Sequence, residues 1–477
     1  MLNKAKFTVP EMDISPLEGR FAWLTPRRLL LFTIAWLSLF AAISILYSNP
    51  FQSETSAQAA PDYGKVMFLH GLLIGMVGLL SLLTCNILCI RLRHTQIWLI
   101  FGVLAATILS GLGGLFDSKI PGAEVPMWIQ ILSFFALDEI LIVLIIGMIQ
   151  EFRSTPAART LPYISAFFAA IAMFGSAIMG HLAGWIMEFG WNTPSIIKSY
   201  ATFAGTGSQD EFTGALVGSH SHEMVVGVIA MIIILVAQHF GYDQLKNVSR
   251  VFARIGVGMV AIGVIIMTGI YLYAGFSTWS PPNWFSNGAN GIASDDVITG
   301  ILVMGGGLVI FSAFIIAKLV HTPLRLAMLT SWVLTFATVV IAGYAIEMHT
   351  NFFGAGDPSA AGAANDAVFT WLHQDIGLFL LPALVLVMLA VERMAHKSSP
   401  EYIGVITMFG TIVTFIGSMF FVFVNPVIFG RAFYLTSIGL VIVGVALFET
   451  LRWGITEART GTSLTIIQGS ISKETSS

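Results

Sequence analysis

Charge is what this chain lacks. Only 10% of its 477 residues are Asp, Glu, Lys or Arg, less than half the share of an ordinary soluble domain. With 56% hydrophobic residues and a mean hydropathy of +0.84, the composition is that of an integral membrane protein. A formal net charge of −3 gives no basis for a nucleic-acid partner. Cysteine is nearly absent. Cys85 and Cys89 stand four residues apart near a basic end, too close on one helix for a relaxed disulfide and too few for a metal, so they read as reduced packing residues. A cleavable leader is also missing from the pattern. The first apolar run begins at Leu29, after a long polar start and Pro26-Arg27-Arg28. Ala57-Gln58-Ala59 resembles a cleavage site, but too much precedes it, so the first span is expected to be retained.

What the chain has instead is long apolar runs separated by polar or Gly/Pro-rich breaks. Twelve spans are predicted, near 28–48, 65–91, 97–116, 126–150, 162–188, 213–240, 250–276, 297–319, 324–347, 366–392, 401–424 and 431–453, each long enough to cross a bilayer as a helix. Residues 1–477 then form one transmembrane domain, with a polar, Ser/Thr-rich tail at 454–477 expected to be flexible. If both termini are cytoplasmic, 19 of the 23 lysines and arginines fall on the inner side; the other four are Lys65, Lys119, Lys198 and Arg431. The positive-inside rule therefore predicts cytoplasmic termini.

On that orientation, six of the ten histidines share one depth. His70, His220, His222 and His373 lie near the outer starts of the second, sixth and tenth spans; His181 and His349 lie near the outer ends of the fifth and ninth. His94, His321, His396 and His239 fall at the inner side and read as solvated. The layer repeats: His70, His222 and His373 are spaced by 152 and 151 residues, with Gly75, Gly227 and Gly377 four or five residues on. A second echo matches Gly184-Trp185-Ile186-Met187-Glu188 with Gly343-Tyr344-Ala345-Ile346-Glu347. Both suggest three related units of four helices in a pseudo-threefold arrangement.

Ionisable groups inside a membrane span cost about 2.5–3.5 kcal/mol each at a helix centre, so they usually have a function. Imidazole is a common axial ligand of haem iron and a good copper ligand. His70, His222 and His373 sit inside apolar runs and are read as ligands; for His181 and His349 a water-bonded interfacial role is the stronger reading, with ligation as the alternative. Residues i and i+2 of a helix point about 200° apart, so His220 and His222 face opposite clefts. Glu223 follows them and can orient a ligand, carry protons or bind a metal. Asp138 and Glu139, adjacent in mid-span, read either as a proton path or as structural pairing. The Gly/Ser/Ala-rich segments 190–212 and 350–365 are expected to cover the histidine layer, and Tyr273, Trp279 and Trp284 to form an interfacial aromatic belt.

These features resemble the haem–copper oxidase superfamily, which includes oxidase subunit I and the nitric oxide reductase large subunit. The resemblance is topological over the whole chain and residue-level only in short pieces. "FLHGLLIGMVGLL" is similar to the family's second helix, which assigns His70 to a low-spin haem. "WLHQDIGLFLLP" takes the place of the tenth helix, which pairs His373 with His70 and leaves Asp375 where a second histidine is usual. "GSHSHEMVVG" occupies the sixth-helix position and also resembles the NnrS family. The family's adjacent histidine pair on the seventh helix is missing, as is the polar character of the eighth, which argues against a three-histidine copper and against pumping.

The resemblance implies a haem-binding electron-transfer or oxidoreductase subunit of the oxygen- or nitric-oxide-reducing type. It implies b-type haem, with a second haem or a non-haem metal or copper at His220 or His222. Glu223 and His220 would be the catalytic groups. An outer-face donor of the cytochrome c or cupredoxin kind and a bacterial cytoplasmic membrane go with it. Two other readings stay open: a twelve-helix transporter or metal-handling permease using the histidine layer, and a haem-free structural relative.

Overall fold

The computed structural model describes residues 25–47, 63–90, 92, 95–117, 124–192, 195–203, 208–277, 299–342, 372–394, 400–423 and 426–460. Every regular element among them is helical: α1 (Pro26–Tyr47), α2 (Tyr63–Ile87), α3 (Gln96–Asp117), α4 (Glu124–Glu151), α5 (Thr160–Phe189), α6 (Ser195–Phe203), α7 (Gln209–His239), α8 (Asn247–Ser277), α9 (Gly305–Ile316), α10 (Pro323–Phe336), α11 (Leu381–Met394), α12 (Glu401–Phe423) and α13 (Pro426–Thr460). Eleven of the described helical stretches are long and apolar enough to cross a membrane. The predicted span 297–319 corresponds to a shorter apolar helix, Ile301–Ile316. The chain is thus an all-α integral membrane bundle. Two boundaries differ from expectation. α6 is an additional short helix inside the predicted 190–212 loop, tied down by the Tyr200 hydroxyl, which donates to the Phe276 carbonyl at 2.7 Å. α13 runs to Thr460, two turns beyond the predicted end of the last span.

Burial identifies the centre. In α2, α7 and the helix ending at Met394, 83% of the spanning window is buried, against 33–56% elsewhere. These three helices pack against one another. Their sequences explain it: from Glu223 to Ala237 every residue of α7 is buried, and all but Glu223 are apolar or glycine, so the helix has no polar face to turn outward. Neighbouring helices also pack at α1·α13, α4·α5 and α9·α10. α5 and α7 approach closely at Gly227, where a Cβ would lie 2.7 Å from Met173 Cγ and 3.0 Å from the Ala169 carbonyl.

The two ends differ chemically. One is basic and cross-linked. Arg27 pairs with Glu457 at 3.0 Å, Arg325 with Glu392 at 2.8 Å, and Arg393 donates to Asn86 at 2.6 Å. His239, expected to be solvated, is instead largely buried 3.3 Å from Glu392; the reason is that α7 ends against α11, whose Glu392 offers a carboxylate. Arg159 pairs with Asp243. Burial works against the Arg159 charge, but the hydrogen bond and charge of Asp243 outweigh it and raise its pKa. The opposite end carries the histidines. There Thr299–Met304, Ala337–Ala342 and Leu372–Leu380 are π-helical and adjoin α9, α10 and α11, a geometry common at functional sites.

Candidate functional site: an imidazole pair between central helices

His70 of α2 and His220 of α7 face each other. Their ring centroids are 6.0 Å apart and their planes differ by 11°. α5 holds His220 from behind. His220 Nδ1 donates to the Ser176 carbonyl at 2.8 Å, and the Ser176 hydroxyl donates to the His220 carbonyl at 2.7 Å. A carbonyl only accepts, so Nδ1 carries the hydrogen and the Nε2 lone pair of the neutral ring is left for another partner. One turn along α5, Gly180 supplies the room: a Cβ there would stand 2.6 Å from His220 Cε1.

The surroundings extend the cluster. Phe134 of α4 lies 5.9 Å from the His70 ring and 5.6 Å from the His181 ring. His181 Nδ1 is 3.0 Å from Asp138 Oδ2, which bridges α5 to α4. Glu223, one turn beyond His220, is 0% exposed, and neither carboxylate oxygen has a hydrogen-bond partner among the described residues. On α5, a Cβ added at Gly175 would sit 3.5 Å from Oε1. Glu223 can therefore take up a proton, a water or a cation.

The other expected site residues lie elsewhere. His222 was expected to join His70 and His373; it is exposed on the far side of α7, stacked 5.6 Å from Tyr271, with Nδ1 donating to the Gly218 carbonyl at 2.8 Å. The reason is helical geometry: two residues on from His220, it points about 200° away. His373 donates from Nδ1 to the Val339 carbonyl in the π-helical stretch after α10, at 3.1 Å. The pair brought face to face is His70 with His220, where the resemblance pairs His70 with His373. Asp375 is buried. Asp138 and Glu139 diverge, Asp138 toward α5 and Glu139 toward Gly102 of α3, where a Cβ would lie 3.4 Å from Glu139 Oε2, so they do not form one path. His181 is engaged with an acid, not grouped with metal ligands. Among the described residues no group of three or more His, Cys, Asp or Glu side chains is arranged to hold a metal ion. His349, Trp279, Trp284 and the segment 350–365 lie outside the described residues; Tyr273 is 45% exposed, as an aromatic belt requires.

Sequence reasoning missed Ser176, Gly180, Phe134 and Tyr271. Ser176 and Gly180 stand four residues apart on one face of α5, beside His181; a small, hydroxyl-bearing face next to a histidine was the available signal.

No known protein family, no curated protein and no solved structure matches this chain.

Proposed function

We propose that the protein is a haem-binding membrane redox subunit with the topology of the haem–copper oxidase superfamily, and that His70 and His220 are the two axial imidazoles. The parallel imidazole pair carries this reading. The ring centroids of His70 and His220 lie 6.0 Å apart, close enough for both to reach one iron at about 2 Å per metal–nitrogen bond once the stacked rings turn their Nε2 edges toward it. The donor set also supports it. A bare metal ion wants three or more protein ligands, and two imidazoles are too few; a haem brings four equatorial nitrogens of its own. Ser176 would fix the ligating tautomer of His220, as carbonyls behind ligating histidines do, and Phe134 would supply an aromatic wall. Bound there, a b-type haem would supply one-electron chemistry. Glu223 is the acid placed to hold or deliver a proton near it.

The excess of lysine and arginine at the end opposite the histidines supports cytoplasmic termini; a bacterial cytoplasmic membrane and an electron donor of the cytochrome c or cupredoxin kind at the histidine end follow from the resemblance alone. The missing seventh-span histidines favour electron transfer or a non-pumping oxygen or nitric oxide reaction. A second reading rests on the π-helical stretches beside α9–α11 and on buried Asp375: interrupted helices near an acid are what a twelve-helix transporter uses to bind an ion. The two readings part in a visible spectrum of the purified protein. The redox reading requires a dithionite-reduced Soret and α-band that His70→Ala and His220→Ala both remove; a colourless protein supports the transporter.

A further inference from the structure

We propose that Arg159 and Arg393, beside the Cys89 thiol at the basic end of the bundle, form a binding site for a phosphate group. Three helix ends bring the parts together: Cys89 follows α2, Arg159 caps the start of α5, and Arg393 closes α11. Arg159 pairs with Asp243 through Nε, and its Nη1 comes within 4.0 Å of the Cys89 sulfur. Arg393 donates from Nε to Asn86 at 2.6 Å. The titratable groups near enough to act on Arg393 are Cys89 and Arg159; no carboxylate among the described residues pairs with it. Glu392, its neighbour in the chain, is turned to Arg325 and His239 instead.

Two cations therefore share one acid. A half-buried guanidinium with no counter-charge, beside a second guanidinium, is unfavourable, and an anion held between the two removes that cost. The donors left over say which anion. Both terminal nitrogens of Arg393, and Nη2 of Arg159, make no hydrogen bond among the described residues. Planar forks of this kind match the oxygens of a phosphate two at a time. Cys89 and Arg159 lie outside the membrane-spanning segments, at the level of phospholipid headgroups, and 36% of the Arg159 side chain is exposed. The sequence extends the positive charge, because Arg91 and Arg93 follow Cys89 closely. The same donors take a phosphate carried by an acidic phospholipid or one free in water.

The test uses the full chain, stripped of lipid in an uncharged detergent, with phosphatidylglycerol, phosphatidylcholine and inorganic phosphate as probes. Cys89 reports occupancy, since Cys85, the other cysteine, is buried. An anion bridging the two arginines lies against the Cys89 sulfur and should slow its alkylation by iodoacetamide several-fold. Protection by phosphatidylglycerol, with phosphatidylcholine and inorganic phosphate inert, identifies a lipid headgroup; protection by inorganic phosphate identifies a soluble ligand. Arg393→Gln should weaken the protecting probe by about tenfold or more, the worth of a hydrogen bond to a charged group, and Arg393→Lys should recover part of the loss. Arg452→Gln, which alters an exposed arginine paired with Glu449, should change nothing. Circular dichroism checks that each variant is folded, and the protection in the unaltered chain needs no variant. Three results overturn the proposal: no protection by phosphatidylglycerol or phosphate, equal protection by the two lipids, or undiminished binding in a folded Arg393→Gln. Neither measurement depends on haem.

Discussion

Replacing Gly180 by alanine should empty the proposed site without unfolding the bundle. The added Cβ would stand 2.6 Å from His220 Cε1, 2.7 Å from Nδ1 and 3.0 Å from Nε2. Ordinary contact begins near 3.4 Å, so the ring must retreat by about 0.8 Å, and a retreat of that size stretches the 2.8 Å bond to Ser176 to where it no longer counts as one. Overpacking of this kind costs about 1–3 kcal/mol, and losing the positioning hydrogen bond adds about 0.5–1.5 kcal/mol. Charged against haem binding, about 1.5–4.5 kcal/mol is a loss of roughly 10- to 1,000-fold in affinity. The assay is haem per chain by pyridine haemochrome on monodisperse protein, with helicity followed by circular dichroism. Gly184→Ala is the control, since its Cβ meets open space, and should bind haem normally. Full haem content in Gly180→Ala would refute the argument that His220 is the ligand held by α5.

Three further outcomes follow from the same geometry. His220→Ala should abolish the bis-imidazole spectrum while His222→Ala leaves it, because His222 lies on the exposed side of α7; optical spectra of the two variants decide. Arg325→Ala should lower thermal stability in detergent by less than the ~3–5 kcal/mol of a fully buried, unpaired charge, since it removes the 2.8 Å partner of the partly buried Glu392 and leaves it His239 at 3.3 Å; a thermal shift assay that shows no loss contradicts this. Gly227→Ala should destabilise by about 1–3 kcal/mol through the contact with Met173 and the Ala169 carbonyl, whereas Gly75→Ala, whose Cβ would meet only Leu37 Cδ1 at 3.9 Å, should be neutral in the same assay.

The contrast between those glycines shows how far a sequence repeat reaches. Gly75 and Gly227 look equivalent five residues after a histidine, yet only Gly227 is required by a close helix approach. Span positions were legible because each apolar run is long and its breaks are polar; the centre of the bundle came only with the burial of α2, α7 and α11. The histidine layer was legible as a layer; its pairing was not. Which of His220 and His222 faces inward depends on the rotation of α7 about its axis, and that is set by Gly180 and Ser176 on a neighbouring helix. The divergence of Asp138 from Glu139 likewise follows from a 100° step around α4, which sequence adjacency conceals. His239 read as solvated because its partner, Glu392, is distant in the chain.

The central claim, that His70 and His220 together ligate a haem, is tested most directly by the dithionite-reduced spectrum and haem content of the purified chain beside His70→Ala and His220→Ala. A low-spin b-type α-band is expected in the unaltered protein, and its loss in each variant. A chain without haem, or a band that survives both substitutions, would contradict it.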